Sequence, residues 1–188
     1  MTLTGHLSRA GVIFQSCALG FEVTEKVGKT GLVAIYKNGD GPTIMVRTEL
    51  DALPMEEKTS LAYASHDKTT WNDGETFVAH SCGHDIHMAS WVGTAKTLVG
   101  LKDRWQGTLM FIAQPAEETV SGAKAMLADG LFTRFKKPDF GFALHDAPSP
   151  TASSSIAPAS APPIPTASRL FSTAGAVTAR RRREPSIP

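Results

Sequence analysis

Residues 107–130 read GTLMFIAQPAEETVSGAKAMLADG. A mostly apolar run of seven residues ends at Gln-Pro, two adjacent glutamates follow, and a stretch of helix formers runs to a glycine. The first part predicts a buried strand. The last predicts a helix over 119–130 with Gly130 as its C-terminal stop. Glu117 and Glu118 fall on the connection between them. In an extended or turning segment neighbouring side chains point to opposite sides. One carboxylate is then expected to bind on one side while the other works on the opposite side.

The same alternation recurs along the chain. Residues 20–37 predict a strand, a glycine turn and a second strand. GPTIMVRTEL (41–50) predicts a strand after a Gly-Pro breaker. DIHMASWVGTAKTLVGL (85–101) predicts a helix, with Met88, Trp91, Val92, Ala95, Leu98 and Val99 at helical spacing and Asp85 in its first turn. DFGFALHD (139–146) predicts another strand. Strands alternating with helices imply an α/β layered sheet with helices on its faces.

The totals exclude several classes. The chain has 188 residues, 41% hydrophobic and 20% charged, as in a globular protein rather than a disordered one. Its formal net charge is +1, so no whole-protein field favours nucleic acid. That total conceals an asymmetry. Residues 149–188 hold five arginines and one glutamate, leaving 14 basic and 17 acidic residues elsewhere. Two cysteines, Cys17 and Cys82, do not make a disulfide framework, and a cytoplasmic protein is the simpler expectation. No signal peptide is expected, since the N-terminus lacks a basic region followed by an apolar core, and no membrane span, since no apolar run approaches about 20 residues.

Chemistry concentrates at three junctions. HSCGHDIH (80–87) places Cys82 and His84 two residues apart, with His80 and His87 near them. Thiolate and imidazole suit zinc and related divalent metals. Glu117 and Glu118 follow the strand at 107–115, and His145 lies at the end of the strand at 139–146. Open α/β sheets gather their sites at the carboxyl ends of strands, so the three pieces can converge. Each has a plain alternative: a packed cysteine, a hydrogen-bonded histidine, a glutamate pair complementing a helix N-terminus. Together at strand ends they point to a metal site. A closed structural zinc module fits less well, because such a site has no need of paired glutamates.

RTELDALPMEEKTSLAYAS (47–65), HSCGHDIHM (80–88), the segment 107–130 and ALHDAP (143–148) together resemble the metal-dependent amidohydrolase family of aminoacylases, hippurate hydrolases and auxin-conjugate hydrolases. The resemblance runs from about Gly20 to Pro148. Ser81 stands where alanine is usual and Glu49 where aspartate is common. The resemblance implies an incomplete zinc-exopeptidase-like catalytic domain over residues 1–148. Cys82, His84, Glu118 and His145 match metal ligands, and Glu117 matches the general base. Asp85, His87 and Asp51 are candidates for orienting a ligand from behind. The implied cofactor is a divalent metal, zinc, manganese or cobalt, as one or two ions. The implied partner is a small N-acyl amino acid or related amide, cleaved by metal-activated water; nucleic acid and membrane are not expected.

The family pattern also breaks. Its lid or dimerisation domain, through which the family would be oligomeric, a Gly-rich GRGGHG stretch, a later ligating histidine and an N-terminal His-Pro-Glu segment are all missing from this sequence. Residues 149–188 form an Ala/Pro/Ser/Arg-rich tail of the composition expected for disorder. Back-translated with the frame moved back one base, Thr173 to Pro188 permit GRGGHGSTPQRTIDP, a family-like sequence in the family's order. The expectation is a reading frame that slipped between about His145 and Ser155. A catalytically inactive remnant that at most binds metal is therefore the alternative to an active amidohydrolase.

Overall fold

The computed structural model describes residues 6–146, so the tail of 149–188 lies outside the described residues. The elements are α1 (His6–Ala18), β1 (Glu22–Val27), β2 (Gly31–Asn38), β3 (Thr43–Glu49), β4 (Lys68–Trp71), β5 (Gly74–Phe77), α2 (His84–Gly100), β6 (Gly107–Gln114), α3 (Gly122–Ala128), α4 (Leu131–Arg134) and β7 (Phe140–Ala143). Five strands make one mixed sheet in the order β1-β2-β6-β3-β7, and β4 pairs with β5 in a separate hairpin. β1, β2 and β6 are antiparallel neighbours, whereas β6, β3 and β7 run parallel. The carboxyl ends of those three strands, at Gln114, Glu49 and Ala143, therefore share one rim of the sheet.

Burial explains why this sequence forms these layers. On β6, Leu109, Phe111 and Ala113 join a core with Val12, Met88, Trp91 and Ala95 on the α1 and α2 side. The intervening Met110 and Ile112 join Ala123, Met126 and Leu131 on the α3 and α4 side. A strand alternating between two apolar faces must be covered on both. Phe111 sits edge-on to Phe21 and Trp91, with centroids 5.3 and 5.0 Å away. The Trp91 indole donates to the Val46 carbonyl (3.2 Å), which fixes α2 against β3.

The α/β expectation holds, with local corrections. The helix predicted over 119–130 begins only at Gly122, because residues 117–120 turn tightly instead. Gly130 does take the left-handed conformation (φ 84°) that ends α3 and starts α4. The strand predicted over 139–146 is paired only through Ala143. α1 and the β4–β5 hairpin had no counterpart in the sequence reading.

Candidate metal centre

The site forms on the shared rim. α2 begins there, and its buried stripe is His84, His87, Met88, Trp91 and Ala95. Spacings of three and four put these residues on one helical face. The two histidines therefore sit at the sheet end of a face that is otherwise core. Gly83 precedes the helix at φ 72°, and a Cβ there would collide with the Asp146 carboxylate. Only glycine meets both conditions without strain.

His84 is held on one side and open on the other. Its Nδ1 donates to the Asp51 carbonyl (2.8 Å), and Asp51 Oδ1 lies 3.4 Å away. Its Nε2 is buried with no hydrogen-bond partner and faces Glu118 Oε1 at 3.8 Å and Glu117 Oε2 at 3.9 Å. Glu118 Oε1 is likewise buried and unpartnered. Asp51 Oδ2 meanwhile accepts the Glu118 backbone N–H (2.9 Å). The Asp51 backbone carbonyl thus holds the imidazole, and its buried carboxylate fixes the loop opposite.

The glutamate pair departs from the sequence expectation. The two carboxylates do not diverge to opposite sides; both come within 4 Å of the same histidine nitrogen. Residues 117–120 are a turn rather than an extended segment, bracketed by positive φ at Ala116 (51°) and Val120 (53°). For a β-branched valine that conformation is strained, and strain of this kind gathers at functional sites. Backbone bonds hold the turn: Val120 N–H to Glu117 O (2.7 Å) and Gly122 N–H to Ala116 O (3.1 Å).

The electrostatics follow from this crowding. Burial alone would push the His84 pKa down, but hydrogen bonds to Asp51 and the Glu49 charge raise it to about 9. Burial raises Glu117 above the usual carboxylate range; Arg47 opposes this and Glu118 adds to it. Burial and the Glu118 charge push the Cys82 thiol up to about 11. For Asp51 burial works upward, yet its bonds to His84 and to the Glu118 and Glu117 backbone leave it below the ordinary value. His80 is lowered, chiefly by burial.

Ligand atoms of Cys82, His84 and Glu118 all lie within 4.8 Å of one another. His145 joins from beyond β7, its Nε2 3.7 Å from Cys82 Sγ. Three of the four residues expected to share an ion thus lie within reach of one another, and the fourth, His145, lies beside the thiol of one of them. The orphaned His84 Nε2 and Glu118 Oε1 face each other across a gap too long for a hydrogen bond, and the donor set is of the kind a divalent metal takes. The residues present fit such an ion.

The three supporting candidates separate. Asp51 touches both His84 and Glu118. His87 is buried and reaches Glu49 and Asp146. Asp85 is exposed and hydrogen-bonds no member of the cluster, so the bond that orients His84 comes from Asp51 instead. Glu49, noted in the sequence only as a departure from aspartate, proves 1% exposed and paired with Arg47 and His87. The inward alternation of β3 is the signal that marks it.

The model of the peptidase family M20/M25/M40 matches residues 45–181. The chain belongs to that family. It is 42% identical over 130 residues to a hippurate hydrolase of Campylobacter jejuni, covering 69% of this chain and 31% of that protein. To an N-acetylcysteine deacetylase of Bacillus subtilis it is 41% identical over 119 residues, 59% of this chain and 29% of the other. Among solved structures, the Bacillus subtilis YXEP protein, a dinuclear metal-binding peptidase of the M20 family, superposes with a TM-score of 0.66 at 32% identity. That match covers 79% of this chain and 39% of the other. The chain thus spans about three-tenths of the length of these curated relatives. The motif-based resemblance and the α/β fold both stand, in a family of hydrolases. No helix among the described residues is long and apolar enough to cross a membrane.

Proposed function

We propose that this M20-family chain carries the metal-binding part of an amidohydrolase acting on N-acyl amino acids or related amides. The observation that carries the reading is the pair of buried, unpartnered atoms, His84 Nε2 and Glu118 Oε1, with Glu117 beside them. Cys82, His84, Glu118 and His145 would hold a zinc, manganese or cobalt ion, singly or as a pair. A bound ion there supplies Lewis-acid polarisation of the amide carbonyl and lowers the pKa of water.

The chain's own residues do the rest. Glu117, with its pKa raised, takes the proton from the attacking water and returns it to the leaving amine. Asp51 keeps His84 in the tautomer whose Nε2 lone pair faces the ligands, and its bond to the Glu118 backbone fixes the glutamate turn. Two free cysteines suit a cytoplasmic setting. The family's second domain would supply the oligomer contact.

The test is an assay of the full chain with zinc, manganese or cobalt on N-acetyl and N-benzoyl amino acids. Glu117→Gln should lower turnover about 10²- to 10⁴-fold while metal content stays unchanged. Equal turnover in wild type and variant would remove Glu117 as the base. A slipped reading frame in the tail, as the back-translation leads one to expect, would favour the second reading, a remnant that binds metal without turnover. Metal content with no hydrolysis in the wild type would support it. A gene whose codons cannot encode histidine across Val177 and Thr178 in the other frame would count against it.

A further inference from the structure

Beneath the proposed ligands runs a buried chain of side chains that the reading above does not use. Arg47 Nε donates to Gln114 Oε1 (2.9 Å), and Arg47 also pairs with Glu49. The other Glu49 oxygen accepts from His87 Nδ1 (3.0 Å). His87 Nε2 stands 3.0 Å from both the backbone nitrogen and Oδ1 of Asp146. This chain begins at the ends of β3 and β6 and finishes on the segment that carries His145.

We infer that His87 is a positioning residue that ties the His145–Asp146 segment to the buried Arg47–Glu49 pair and so sets where His145 stands as a ligand. The inference rests on the metal-binding reading above. Pairing between β7 and β3 ends at Ala143 and Arg47, and the described hydrogen bonds of His145 and Asp146 to other segments go to His87 and Cys82. The His145 ring also lies against His87, edge-on at 4.7 Å. His145 itself is exposed, with its Nδ1 2.6 Å from the Asp146 carbonyl and its Nε2 toward Cys82. Among the described residues, no other hydrogen bond ties it to another segment. His87, 2% exposed, is packed within the core stripe of α2. Its two ring nitrogens are both engaged at 3.0 Å, which suits a support better than a ligand. Partners of this kind behind metal ligands are worth about 10- to 100-fold in affinity.

Cadmium-113 NMR of the full chain labelled with nitrogen-15 histidine tests this. In the wild type, cadmium should couple to one nitrogen of His84 and one of His145, and to none of His87. In His87→Ala the His145 coupling should vanish and cadmium affinity fall at least about tenfold, with the His84 coupling kept. His87→Gln, whose amide can still accept from the Asp146 backbone, should fall between. Wild-type affinity with an intact His145 coupling in either variant overturns the inference. So does cadmium coupling to His87 itself. If His87→Ala does not fold by circular dichroism, His87→Gln decides alone: an unchanged His145 coupling overturns, a weakened one supports. A wild-type coupling to His84 without one to His145 overturns the inference but leaves the metal site standing. No cadmium binding in the wild type overturns both.

Discussion

The inner and outer halves of the candidate site are built differently. His84 and Asp51 are almost wholly buried and locked to one another and to the glutamate turn. Cys82 is half-buried, and His145 and Asp146 are exposed beyond the last strand pairing. The inner half is therefore organised by folding itself, with its electrostatic cost borne by the core. The outer half hangs on one buried histidine and a thiol. Rigid donors favour affinity and geometry, whereas looser ones at the rim leave room for a substrate to enter.

Substitutions should separate the halves by size of effect. Asp51→Ala, on the inner side, should lower stability by about 3 kcal/mol, the usual scale for removing one partner of a buried charged pair. It should also weaken metal binding about 10- to 100-fold. Urea denaturation and metal titration read the two. A loss under 0.5 kcal/mol would mean that the inner half is not organised by this carboxylate. Gly83→Ala strikes the junction of the halves. A left-handed φ of 72° and the collision with Asp146 should together cost at least about 1–2 kcal/mol.

Acidity sharpens the contrast in metal-free protein. His84 is raised to about 9 from 6.5, so the folded state holds that proton more tightly than the unfolded one. Its contribution is whole below pH 6.5 and is lost as pH rises to about 9. Cys82, raised to about 11 from 9.0, acts with the same sign between those two values. Metal-free protein should therefore melt at progressively lower temperature from pH 7 to pH 10. Saturating metal should reduce the slope, because bound metal requires both groups deprotonated. A melting temperature that rises with pH without metal would contradict the inner-half electrostatics. The smallest effect belongs to the rim: His145→Ala should change stability by no more than about 0.5 kcal/mol in urea, while removing one proposed metal ligand.

The sequence by itself determined the α/β layering and pointed to the candidate ligand set. Period-two burial on β6, the 3.6-residue stripe of α2 and the residue types at Cys82, His84, Glu117, Glu118 and His145 are all local patterns. What they left open depends on contacts across long stretches of chain. Whether Glu117 and Glu118 diverge or converge was decided by the positive-φ turn between Ala116 and Val120, which is anchored on Asp51, 67 residues away from Glu118. The work of Glu49 and His87 was hidden for the same reason, since a buried polar pair is recognised only by the partner facing it. Tertiary structure also chose Asp51 over Asp85 as the support for His84, because α2 turns its histidines toward the sheet and leaves Asp85 on the outside. Periodicity tells which face of an element is buried; only packing tells what that face meets.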